Sequence, residues 1–168
     1  TQSVGCPYYD DHFAKYIHGK PYESSGKRKV LFLPNSGKSQ TPESEIVFAI
    51  KLCLRFISEN PDYSLTIKPH PGGDIQLIRE LLKENSGNSI QLLNSQNQIE
   101  FQSYCFIITM NSTIGIEAAI YRRPLLILLT SKKLLMVQDY ISNGIAEFAD
   151  SYEKMKTSIE RIESNYND

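Results

Sequence analysis

The sequence has few cysteines, no surplus of charge of either sign and no long apolar run. Cys6, Cys53 and Cys105 are odd in number, far apart and without a C-x-x-C pair. Neither a disulfide framework nor a zinc site is indicated, and a reducing, cytoplasmic setting fits. No metal and no cofactor is expected. Eighteen basic residues stand against nineteen acidic ones. No basic block tracks a phosphate backbone, so nucleic acid is not an expected partner. The longest apolar run, Pro124 to Leu129, falls far short of the roughly 20 residues that cross a bilayer, and no charged-then-apolar leader opens the chain. Work at the inner membrane face would therefore need peripheral association through other parts.

What is present is a chain of 168 residues with 40% hydrophobic content, enough for one domain with a substantial core. Lys29 to Pro34 is a short apolar run between turn-rich stretches and reads as a buried strand. A helix follows, with Thr41 as its cap, Pro42 in the first helical position and Glu43 and Glu45 at the positive end of its dipole. Ile46, Ala49, Ile50, Cys53, Leu54 and Ile57 give it one apolar face. The alternation continues with a strand over Tyr63 to Lys68, a helix over Asp74 to Lys83 and a strand over Ile90 to Leu93. After a brief helix over Ile99 to Tyr104 come a strand over Cys105 to Met110, a helix over Thr113 to Tyr121 and a strand over Pro124 to Leu129. Two helices, Lys132 to Ser142 and Tyr152 to Glu163, finish the chain. Strands apolar throughout, separated by helices, imply an α/β fold: a Rossmann-like parallel sheet of five or six strands with helices on both faces. Ligands of such sheets bind at the carboxyl ends of the strands.

Three loops there carry the chemistry. Asn35-Ser36-Gly37-Lys38-Ser39 contains Gly-Lys-Ser, but Phe32 stands where a phosphate loop needs its first glycine. It reads instead as a small polar turn able to approach a phosphate or sugar, through Asn35, Ser36 and Gly37, or as a solvated turn. In Lys68-Pro69-His70-Pro71-Gly72-Gly73 the flanking prolines hold His70 out of a helix and at the strand end. His70 can then donate a hydrogen bond to a phosphate or a proton to a departing nucleotide, with Lys68 and Pro71 beside the ligand. In Asn111-Ser112-Thr113-Ile114-Gly115-Ile116-Glu117, Ser112 is a natural N-cap. Its hydroxyl, with the backbone N–H groups that follow, suits a diphosphate. Asn111 and Thr113 belong to the same cradle. Gly115 leaves room for a ligand or a neighbouring strand, and Glu117 can accept hydrogen bonds from ribose hydroxyls. The competing reading is an ordinary capped helix with a surface glutamate.

K-P-H-P, then N-S-T-x-G-x-E-A, then a proline-led apolar strand resemble the C-terminal domain of GT-B-fold bacterial glycosyltransferases. The nearest likeness is to capsule polysaccharide synthesis proteins of the Kdo-transferase type. Bacterial sialyltransferases and the CDP-glycerol glycerophosphotransferases of teichoic acid synthesis are similar more loosely. The resemblance runs from about Lys29 to Leu129. Val4 to Asp10 looks like the G-x-P-x-x-D segment that joins the two domains of these families, so residues 1–26 are expected to be interdomain linker and 27–168 the nucleotide-sugar-binding domain. The resemblance implies His70 and Ser112 near the donor phosphates, Glu117 on the ribose and a CMP- or CDP-linked donor. It also implies an N-terminal acceptor domain, carrying the catalytic base, as the missing partner. One departure stands out: related proteins place glycine where this chain has Arg122, ending the helix in left-handed geometry. Arginine there costs about 1 kcal/mol.

Two other function classes fit the same pattern. A UDP-N-acetylglucosamine 2-epimerase relative shares the fold and a His-Pro element, but the acidic, glycine-rich loop expected before the last helices is not evident. A non-catalytic binding or scaffold domain of a polysaccharide assembly complex is the third. The sequence upstream of Thr1 separates these readings: a Rossmann-like partner domain with an acidic base there would favour the transferase.

Overall fold

The computed structural model describes residues 9–18, 26–36, 41–83, 89–130 and 135–166. In chain order the elements are α1 (Asp10–His18), β1 (Arg28–Leu33), α2 (Glu43–Glu59), β2 (Tyr63–Ile67), α3 (Ile75–Lys83) and β3 (Ile90–Leu92). A 3-10 turn (Phe101–Ser103) precedes β4 (Phe106–Thr109), α4 (Ile114–Ile120), β5 (Leu125–Leu128), α5 (Leu135–Ser142), β6 (Ala146–Ala149) and α6 (Tyr152–Tyr166). The six strands form one sheet in the order β3-β2-β1-β4-β5-β6. Every pairing is parallel.

Burial explains why these segments are strands. Val30, Leu31 and Phe32 of β1, all four residues of β4 and all four of β5 are buried. A central strand of a parallel sheet is covered on both faces, so no position is left for a polar alternation. Thr109, the polar exception in β4, donates its hydroxyl to the Leu33 carbonyl at 3.2 Å, which removes the cost of burying it. Helix α2 lays its predicted apolar face, with Phe56 in addition, against the sheet.

Three expectations need correcting. Thr41 does not cap α2; its hydroxyl accepts from the Asn35 side-chain amide at 3.0 Å instead. Pro42, expected as the first helical residue, occupies the cap position with extended backbone, and α2 starts at Glu43. The chain does not finish on two helices alone, because β6 lies between them and pairs with β5. Its mixed composition, Ala-Glu-Phe-Ala, and edge position hide it from a pattern search. The available signal is Gly144 at φ 66°: Gly144 N–H donates to Ile141 and Ile145 N–H to Tyr140, ending α5 and releasing the chain into a strand. Part of the stretch expected to be interdomain linker is helix α1, packed on α4 through Tyr16 and His12 against Tyr121. Val4 to Tyr8 of the proposed joining segment lie outside the described residues. The remaining elements match expectation to within a few residues at their ends.

No described helix is long and apolar enough to cross a membrane.

Candidate functional site

The strand order reverses between β1 and β4: from β1 the chain winds outward to β3, then returns past β1 to β4 and winds the other way. Loops leaving β1 and β4 at their carboxyl ends therefore diverge to opposite faces and leave a crevice, the usual ligand position in open α/β sheets. Asn35 and Ser36 follow β1, Asn111 to Thr113 follow β4, and the His70 loop follows the neighbouring strand β2. Because all strands run parallel, the three loops share one edge.

Specific contacts draw them together. The Asn35 side chain is buried, and its amide nitrogen donates both to Thr41 Oγ1 and to the Asn111 carbonyl. Asn35 thus ties the β1 loop to the β4 loop, which makes it a spacer across the crevice. On the other side, the His70 turn abuts Ser36: a methyl group placed at Gly72 would lie 3.9 Å from Ser36 Cβ and 3.6 Å from His70 Nδ1. Gly73 N–H closes the turn onto the His70 carbonyl at 2.8 Å, and a side chain at Gly73 would come within 3.1 Å of that oxygen. The space at Gly73 is tight, whereas a methyl at Gly72 would make only ordinary contacts. Asp74 Oδ1 then accepts from the N–H groups of Gln76 and Leu77 at 2.9 and 3.1 Å and starts α3.

His70 is exposed, while Pro69 before it is buried and anchors the loop. Its Nδ1 accepts the Gly72 N–H at 3.0 Å. A neutral imidazole accepting at Nδ1 carries its proton on Nε2. The turn therefore fixes the tautomer in which Nε2 is a donor, as a phosphate contact or a proton transfer to a leaving group requires. Lys68 is half-buried beside it and Pro71 exposed.

At the β4 loop, Ser112 is not the N-cap of α4: Thr113 holds that position with no side-chain cap, and Ser112 Oγ, one residue earlier, accepts the Ile114 N–H at 3.4 Å. The N–H groups of Gly115 and Ile116 are bound to the carbonyls of Ser112 and Thr113 at 3.3 and 3.0 Å. Those donors are spent within the first turn, and α4 has only seven residues, so the anion-binding contribution of the helix start is smaller than expected. Thr113 is exposed and Ser112 half-buried. Gly115 does not leave room for a ligand. A methyl there would stand 2.9 Å from both Leu125 Cδ2 and Tyr140 Cε2, so the missing side chain serves packing of α4 on β5 and α5. Gly37 lies outside the described residues.

Glu117 faces α1. Its Oε2 is 3.7 Å from His12 Nε2, and the two side chains are only 16% and 20% exposed. Burial pushes the neighbouring Tyr121 hydroxyl above its usual pKa, and the Glu117 carboxylate adds to the shift. Sequence reasoning missed His12, which sits in a stretch read as linker; Asp10 and Asp11 at the helix start are the signal that can find α1.

Two surface clefts lie elsewhere. One of about 690 Å³ is bounded by β6 and α6, including Glu147, Lys154 and Arg161. The other, about 470 Å³, lies over β2 and β3, including Ser64, Thr66 and Tyr104. Neither contains His70 or Ser112. Among the described residues no group of three or more His, Cys, Asp or Glu can hold a metal ion.

A family of capsule polysaccharide biosynthesis proteins matches residues 39–131, a span that holds the His70 loop and the whole of the β4 loop. The chain belongs to this family. No curated protein matches the sequence. Among solved structures, a putative UDP-N-acetylglucosamine 2-epimerase from Listeria monocytogenes superposes with a TM-score of 0.65 at 13% identity, over 98% of this chain and 41% of that one. The S. aureus MnaA–UDP co-structure does so with a TM-score of 0.58 at 18% identity, over 96% and 40%. The beta Kdo 2,4 transferase of Thermosulfurimonas dismutans KpsC aligns at 15% identity over 76% of this chain and 46% of that one, with a TM-score of 0.44. The chain thus spans about two fifths of the length of the epimerases it matches, and what it shares with them is the Rossmann-like fold.

Proposed function

We propose that this chain is the donor-binding domain of a glycosyltransferase of capsule polysaccharide biosynthesis, the C-terminal half of a GT-B fold. The observation that carries the reading is the family match over residues 39–131, which coincides with two of the three loops that meet at the sheet's switch point. Nucleotide-sugar binding draws support from fold relatives, one solved with UDP and another with UDP-GlcNAc. The donor is CMP- or CDP-linked, on the resemblance of the His-Pro and serine motifs to cytidine-nucleotide enzymes. Its phosphates lie between His70 Nε2 and the Ser112 hydroxyl, with Lys68, Pro71, Ser36 and Thr113 around them. Asn35 and Asn111 hold the crevice open, and Glu117 meets the ribose. His70 donates its Nε2 proton toward the departing nucleotide phosphate. The acceptor and the base that activates it belong to an N-terminal domain.

The test is a titration of the chain with CMP, CDP and UDP followed by backbone amide shifts. Binding is expected to shift residues around His70 and Ser112, with the cytidine nucleotides bound most tightly. Shifts that avoid both loops would sink the donor site. A preference for UDP, together with 2-epimerisation of UDP-GlcNAc by the full-length protein, would favour the epimerase reading, toward which the fold likeness points.

A further inference from the structure

Helix α1 brings one more side chain to the proposed donor site. His12 lies 3.7 Å from the Glu117 carboxylate, in ion-pair range, and both side chains are largely withdrawn from water. The imidazole is held in place by aromatic neighbours: its ring meets Tyr121 edge-on at 6.0 Å and Tyr9 at 6.3 Å. Tyr121 is itself buried, stacked on Phe101 at 5.2 Å and edge-on to Tyr16 at 6.4 Å. The second residue of α1 to touch this cluster, Tyr16, also lies under the Arg122 guanidinium at 5.5 Å. The histidine is thus fixed from both helices and presents Nε2 to one oxygen of the carboxylate.

We propose that His12 is a positioning residue for Glu117, orienting its carboxylate so that the site distinguishes a ribose from a sugar lacking its hydroxyls. A glutamate on a short helix has three side-chain torsions to fix before it can accept from two vicinal hydroxyls. Unless something holds it, that ordering is taken from the binding free energy. The Nε2 contact removes the freedom beforehand, and the aromatic contacts keep His12 itself from adapting. The segment that carries His12 is therefore a working part of the donor site. This rests on the proposed ribose contact of Glu117.

The experiment measures affinity for CMP and 2′,3′-dideoxy-CMP, with UDP and 2′,3′-dideoxy-UDP as a second pair, in wild type and in His12→Phe, His12→Gln and Glu117→Ala. Phenylalanine keeps the ring contacts and removes the nitrogen, whereas glutamine restores an N–H donor at similar reach. Wild type is expected to prefer the ribonucleotide of whichever pair it binds. His12→Phe should cut that preference at least fivefold with the dideoxy affinity unchanged, and His12→Gln should recover most of it. A purely structural role would lower both affinities together, and that result, or an unaltered preference in His12→Phe, would overturn the proposal. Should His12→Phe not fold, His12→Asn, whose amide is too short to reach, takes its place: the preference should be lost there too, and its survival would overturn the proposal. A wild type with no ribose preference, or Glu117→Ala with the wild-type preference, would remove the ribose contact itself and the role of His12 with it.

Discussion

Arg122 is the one non-glycine among the described residues with positive φ, at 50°. It follows α4, where Arg122 N–H donates to Ala119 and Arg123 N–H to Ala118, both at 2.9 Å, the paired bonds of a Schellman end. The left-handed geometry expected from the resemblance is therefore present with arginine in the glycine position, at a cost of about 1 kcal/mol. Stacking on Tyr16 offsets part of it. Arg122→Ala keeps the strain and loses the stacking, whereas Arg122→Gly loses both, so the glycine variant should be about 1 kcal/mol more stable than the alanine variant by urea midpoint. Gly115 poses the opposite problem. Its missing side chain is demanded by space, since Leu125 and the Tyr140 ring occupy it. Gly115→Ala is expected to destabilise the domain by about 1–3 kcal/mol through overpacking, outweighing alanine's better helix propensity. A stability within about 0.5 kcal/mol of wild type, the range of an ordinary surface change, would count against that packing role.

Among the helices, α6 shows how an element distant in sequence is fastened. Met155, Ile159 and Ile162 of its inner face are buried. Near its start the Tyr152 hydroxyl donates to Glu59 Oε2 of α2 at 2.7 Å, with the Arg55 guanidinium 3.8 Å over the ring. Burial, and then the hydrogen bond to Glu59, push the Tyr152 hydroxyl up to about 12 from an ordinary 10.0. A raised pKa means that the folded state keeps a proton the unfolded chain releases. Stability contributed by the protonated hydroxyl is fully present below pH about 10 and is lost as pH rises toward 12. Chemical denaturation across that window should show a falling stability, less steep in Tyr152→Phe. The hydrogen bonds from Tyr152 and then Arg55 hold the Glu59 carboxyl below its usual range, so its contribution is present at neutral pH and fades as acid reprotonates it. Edge strand β6 is the contrasting case. Its pairing with β5 is set by the helix end at Gly144 and by α6 packing on it, while its own four residues have little strand propensity.

At the scale of the molecule, one edge of a six-stranded parallel sheet carries the three loops and the crevice between β1 and β4. On the proposed reading, His70 Nε2 and the Ser112 hydroxyl sit at this edge and need no second domain to contact a phosphate. A transfer reaction does need one, because donor and acceptor must be brought together across a cleft, and that proximity is a large part of any such acceleration. The isolated chain is thus expected to bind a cytidine nucleotide weakly, the ligand staying largely wet, and to transfer no sugar from a CMP-sugar in a product assay. Turnover by the chain alone would overturn the half-enzyme reading.

Much of this was legible in the residues. The apolar runs at Lys29 to Pro34, Cys105 to Met110 and Pro124 to Leu129 specify buried parallel strands, because only a sheet covered on both faces lets every position be apolar. From parallel strands it follows that the loops at Asn35, His70 and Ser112 share one edge, and the prolines around His70 hold it there. Tertiary structure alone decided what these loops and helices do to one another. Periodicity reports one element's exposure to solvent, whereas a contact depends on two elements whose spacing in sequence is arbitrary. Hence Thr41 exchanges its capping role for the Asn35 amide, Gly115 is filled by Leu125 and Tyr140, and β6 becomes a strand by pairing with β5. For the same reason His12, 105 residues before Glu117 in the chain, meets it only because α1 folds back onto α4.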